Sequence, residues 1–126
     1  VGFCMTFLWG VSAAAQDPDC TNPETQIEMN GCANLAFEKA DADLNAIWSS
    51  ARAKVKRQDA ASPGRTPSNW DLLLDAQRAW LAYRDAACSA ESTKARGGTM
   101  QSQLYAICLE RLTLRRSDDL RAFSSP

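Results

Sequence analysis

The chain has 126 residues, 45% of them hydrophobic and 23% charged, with a formal net charge of −1 at pH 7 and no histidine. That length suits one domain, and the near-neutral balance, with no basic stripe, argues against a nucleic-acid partner. Without histidine the commonest general base is missing, and with it the usual catalytic triads and the metalloprotease helix.

In chain order, Val1 to Val11 is almost wholly apolar, and Ser12-Ala13-Ala14-Ala15 closes the run with small residues. This pattern predicts a secretory signal peptide over 1–15, cleaved before Gln16, with 16–126 as the mature domain. About eleven apolar residues are too few to span a bilayer. Cys4 follows Phe3, where a lipid-attachment site needs a small residue, so no stable membrane anchor is expected after cleavage. The mature cysteines are then Cys20, Cys32, Cys88 and Cys108. Four cysteines in an exported chain of this size read as two disulfides with three possible connectivities. A zinc site is the weaker reading, because no pair has C-x2-C spacing and no histidine is present.

The first helix is expected to begin at Thr21-Asn22-Pro23-Glu24, where Thr21 and Glu24 have capping-box spacing and Pro23 suits a first turn. Its apolar stripe runs through Met29, Ala33, Phe37, Ala40, Leu44, Ile47, Trp48, Ala51 and Val55, so the helix should end near Arg57. Gly31 interrupts the pattern at a cost of about 1 kcal/mol against alanine, and a frayed or kinked first turn is expected there. Residues 16–48 hold seven acids (Asp17, Asp19, Glu24, Glu28, Glu38, Asp41, Asp43) against one base, Lys39. Such a stretch suits a cationic partner, or simply a solvated helix face. Asp41-Ala42-Asp43-Leu44-Asn45 starts like a calcium loop but fails at Ala46 and Arg52, where glycine and glutamate belong.

Gln58 to Pro67 reads as a loop. Ser68, with Asp71 three residues on, caps a second helix whose stripe includes Trp70, Leu73, Leu74, Gln77, Trp80, Leu81, Arg84 and Cys88. Within it, Ala76 to Cys88 reads AQRAWLAYRDAAC and puts an amide, an indole, a guanidinium and a thiol on one face. Gly97-Gly98 breaks this helix and, with no GK[ST] following, is a turn and not a phosphate loop. Thr99 is placed to cap a third helix running through Leu104, Ile107, Cys108, Leu112, Leu120 and Phe123.

No run alternates convincingly enough for a strand, so the expected fold is all-α: a small antiparallel bundle of about three helices. Folding helices one and two back about residue 63 brings Arg84 opposite Asp41. An ion pair is expected there, beside Trp48 or Trp80 and with Asn45 placed to complete the hydrogen bonds, because a buried arginine needs a partner. The same fold-back gathers the four cysteines at one end. Cys20–Cys32 with Cys88–Cys108 is the most local pairing, and Cys32–Cys88 is geometrically possible too. A core of this size is marginal without staples. Catalysis is not expected: a nucleophilic cysteine needs a free thiol and a nearby base.

Several spaced motifs agree, in order, with one family. Thr25-Gln26, Glu28-Met29-Asn30 and Cys32, then Ala40-Asp41 and Leu44-Asn45, then Ala76 to Cys88, Gly97-Gly98, and Cys108 with Thr113 and Arg116 resemble the LprI family over about residues 20–121. The family is a domain of exported bacterial proteins named for a mycobacterial lipoprotein that inhibits lysozyme. The resemblance implies a helical, disulfide-stapled domain in the periplasm or outside the cell, needing no cofactor. Its implied partner is a protein, with a cationic lysozyme the first choice; the alternative is an envelope interaction or stress module with a different protein partner. The shared residues Asp41, Asn45, Gln77, Trp80, Arg84, Asp85, Gly97, Gly98, Thr113 and Arg116 read as structural, so the contact surface is expected elsewhere. The chain departs from the family in lacking the lipid-attachment cysteine, in carrying Gly31 inside the Met-Asn-x-Cys motif, and in having Trp48 where a tyrosine-type aromatic is usual.

Overall fold

The computed structural model describes residues 17–126, so the expected signal peptide lies outside the described residues. Among them, three helices form the antiparallel bundle: α1 (Gln26–Ala61), α2 (Asn69–Ser92) and α3 (Gln101–Ser124), with a short 3-10 turn at Thr93–Ala95 closing α2. The α1–α3 contact is the most extensive. Both helices bury small residues, Ala33, Ala40 and Ala51 in α1 and Ala106, Thr113 and Ser117 in α3, and small buried side chains let helix backbones approach closely.

The start of α1 differs from expectation. Its N-cap is Thr25, not Thr21: the Thr25 hydroxyl accepts from the Glu28 amide at 3.2 Å, and the Glu28 carboxylate accepts from the Thr25 and Glu24 amides at 3.0 and 2.8 Å. The residues before it form a strap. Asp19 accepts from the Thr21 amide and hydroxyl at 3.0 and 2.7 Å, a local side-chain turn that competes with helix. Gly31 neither frays nor breaks α1. A Cβ there would lie 3.0 Å from Pro18 Cγ, so the glycine makes room for the strap.

At its other end α1 continues to Ala61, beyond the expected stop near Arg57. Ser62 leaves helical geometry, as the residue before Pro63 is driven to do. The extra turn brings Asp59 to the start of α2, where its carboxylate accepts from the Asn69 and Trp70 amides, both at 2.9 Å. Ser68 and Asp71 form the expected capping box beside it. Two helix ends are thus tied by one side chain.

The break before α3 falls at Gly97-Gly98, for two separate reasons. Gly97 has φ +79°, a region that disfavours a Cβ, and a Cβ on Gly98 would sit 3.2 Å from the Ala95 carbonyl. Thr99 does not cap α3. The N-cap is Met100 with no side-chain bond, while Thr99 gives its carbonyl to Asn30 Nδ2 at 2.9 Å, tying α3 back to α1.

Two apolar clusters make up the core. One joins Leu44, Ala51, Val55, Leu73 and Leu120, flanked by Ile47, Trp48, Trp70 and Trp80. The other joins Cys88, Cys108 and Leu109, flanked by Phe37, Tyr105 and Leu112. The disulfides pair Cys20 with Cys32 and Cys88 with Cys108, with Cα–Cα distances of 5.5 and 5.4 Å. The local scheme holds and Cys32–Cys88 does not form.

Candidate functional site

Between the two clusters lies a polar layer built on α2. Arg84 is only 8% exposed. Its Nε donates to Asp85 at 2.9 Å, and its Nη1 donates to Asp41 of α1 at 3.3 Å and to the Thr113 hydroxyl of α3 at 3.4 Å. One guanidinium therefore touches all three helices. Its carbon lies 5.3 Å from the Phe37 ring centroid and 5.2 Å from that of Trp80, within cation–π range of both. Phe37 belongs to one cluster and Trp80 to the other, so the cation bridges them.

The layer extends toward the loop end through Gln77, whose side-chain oxygen accepts from Arg116 Nε at 3.0 Å. Arg116 also lies 5.9 Å from the Trp80 ring, which therefore carries two cations. Burial lowers the Arg116 pKa from its ordinary value, with Asp119 acting in the opposite sense. Asn45 does not join the layer. Its side chain is exposed, and Thr113 supplies the third bond that Asn45 was placed to make. Trp48 instead packs on Trp70, ring centroids 5.8 Å apart. Gly97 and Gly98 lie apart from the layer, in the turn before α3.

The polar groups of this layer are turned onto one another, and among the described residues it gathers no thiol or histidine that could act as a nucleophile or base. Among the described residues no group of three or more metal-ligating side chains gathers, and no helix is long and apolar enough to cross a membrane. What is accessible lies at the disulfide end. There an open groove of about 700 Å³ runs between the start of α1, the end of α2 and the start of α3. Gln26, Ile27 and Asn30 form one wall, Ser89 and Ser92 another, and Thr99, Gln101, Ser102 and Tyr105 the third. Gln26 Nε2 donates to Gln103 at 2.8 Å and to Asn30 at 2.7 Å, fixing α1 against α3 at that point. One signal for this groove is visible in the sequence: Ile27 lies off the α1 stripe, two residues before Met29.

The structure thus defines a class: a three-helix bundle stapled by two disulfides at one end and locked by a buried arginine at its middle. A family model described as "Lysozyme inhibitor LprI" matches residues 18–120, and the chain belongs to that family. It is also 34% identical, over 117 residues, to an uncharacterized protein of Rhizobium meliloti (strain 1021), an alignment covering 87% of this chain and 81% of that one. No solved structure matches the chain. The family's description is that of a lysozyme inhibitor, and two disulfides fit an oxidising compartment.

Proposed function

We propose that residues 1–15 direct export, and that the mature domain binds a lysozyme and blocks it by direct protein contact. The observation that carries this reading is the family match over nearly the whole mature chain. Charge supports it. Seven acids against one base in residues 16–48 create a local negative field on a chain of nearly neutral net charge. A field of that sign speeds encounter with a cationic enzyme more than it adds final affinity. The two disulfides suit a protein that works where lysozymes work.

The test is a turbidimetric lysis assay with oxidised mature protein and lysozymes of several types. Saturable slowing of lysis is expected, with an association rate that falls as salt is added. Full lytic activity of every lysozyme at micromolar excess of the domain would leave the reading without support, and would favour a different envelope partner.

A further inference from the structure

We infer that the groove at the disulfide end is the face that meets the inhibited enzyme, with Ile27 as its anchor, an assignment that rests on the lysozyme reading above. Ile27 is 84% exposed, the highest value among the exposed large hydrophobics of the described residues, and it stands on the groove wall. A side chain so placed adds nothing to the core. Met100, 45% exposed, sits beside the opposite wall as the N-cap of α3.

No lysine, arginine, aspartate or glutamate lines the groove. The charges stand around it. Asp17 and Asp19 flank Pro18, which lies against Gly31, one helical turn from Ile27. Glu24 comes just before the α1 cap. Hydrogen bonds from Thr21 hold the Asp19 carboxylate below its ordinary range, and amides of Thr25 and Glu24 do the same for Glu28, so this rim stays ionised into mild acid. On the far side, exposed Lys94 and Arg96 lie in the connection between Ser92 and Gly98. A charge-free centre with protruding apolar side chains and a charged rim is the anatomy of a protein–protein contact. The acidic rim selects a cationic partner, and the basic side would meet that partner's acids.

The groove is also held in shape before anything binds. Cys20–Cys32 fixes the strap, Cys88–Cys108 ties α2 to α3, and the bonds from Gln26 and Asn30 tie α1 to α3. Little ordering is then left to oppose association. Leu72 and Tyr83, the two most exposed apolar side chains of α2, do not line this groove and serve as controls.

The experiment compares Ile27→Ala and Ser102→Arg with Leu72→Ala and Tyr83→Ala in the lysis assay, each variant first checked for an unchanged thermal midpoint. Truncating an anchor or filling the groove should weaken inhibition about tenfold or more, as at a central contact residue. The two controls should inhibit as the parent does. If the parent inhibits and both groove variants inhibit equally well, the assignment of this face is overturned while the lysozyme reading survives. If the parent inhibits no lysozyme, both fall together.

Discussion

At the scale of single residues, Arg84 decides how the three helices register. Taking a guanidinium out of water costs several kcal/mol, and only a full set of partners offsets it. Here Asp41, Asp85, Thr113, Phe37 and Trp80 supply that set. The Asp41 side chain is 40% exposed, so it keeps part of its hydration where Arg84 keeps almost none. The two ends of the pair should therefore behave differently. Arg84→Ala leaves a gap between two aromatic rings and should cost about 2–4 kcal/mol, while Asp41→Ala, with Asp85 still in place, should cost about 1 kcal/mol or less. Urea denaturation of the two single variants and the double variant measures their coupling. Strict additivity would mean that the 3.3 Å contact contributes nothing. Arg84→Met, which keeps volume without charge, should retain most of the stability and lose the unique register, seen as broadened side-chain resonances.

At the scale of elements, side chains outside the apolar stripes set the helix ends. Asp59 accepts the first two amides of α2 from the last turn of α1. Its removal should cost about 1 kcal/mol, the usual value of a lost N-terminal cap, and should accelerate amide exchange at Asn69 and Trp70 without touching α3. Gly31→Ala offers a second test. Helix propensity alone would stabilise α1 by about 1 kcal/mol, but the new Cβ meets Pro18 at 3.0 Å. The expected result is no net gain, with the strap displaced. A full propensity gain would show that the strap exerts no constraint.

The first turn should also respond to acid. The folded protein depresses the Asp19 and Glu28 pKa values from 3.8 and 4.5, so each carboxylate contributes its full stabilisation above those values and loses it as pH falls through the depressed ones. Amides of Thr21, Glu24 and Thr25 should therefore lose protection below about pH 4.5, before the core unfolds. Protection that is flat with pH down to global unfolding would contradict this.

The stripes, the Ser68 cap, the Gly97-Gly98 break and the facing of Arg84 and Asp41 were legible because each follows from local spacing or from one fold-back. The true start of α1 was not. Thr21 and Thr25 each have a glutamate three residues on, and what separates them is the Asp19 turn together with Pro18 resting on Gly31. That is a tertiary fact with no periodic trace. Thr99 failed as a cap for a similar reason, since its carbonyl is engaged by Asn30 from a distant helix. The polar layer was half legible: the need of Arg84 for a partner was clear, but Thr113 and Phe37 become its neighbours only once α3 is laid against α1.

At the scale of the whole molecule, the two disulfides sit at one end but do different things. Cys88 and Cys108 are fully buried in the second apolar cluster and join two long helices. Cys20 is exposed and fastens a strap with few other holds. The chain-entropy treatment gives about 3 kcal/mol for loops of either size, but that figure is realised only where the native state keeps the two ends together. For Cys88 and Cys108 the helices keep them there, so replacing both by alanine should lower global stability by about 3 kcal/mol and shift the urea midpoint. For Cys20 and Cys32 the strap can leave the surface while the bundle stands, so the double alanine variant should unfold near the parental midpoint and lose protection only over the strap and the first turn of α1. Because that strap carries Asp17 and Asp19 beside the groove, the variant should also associate more slowly with a cationic lysozyme. Two measurements then separate fastening from function: a denaturation curve and an association rate. Equal losses of global stability from the two variants would show that the strap is part of the cooperative core and not an appended rim.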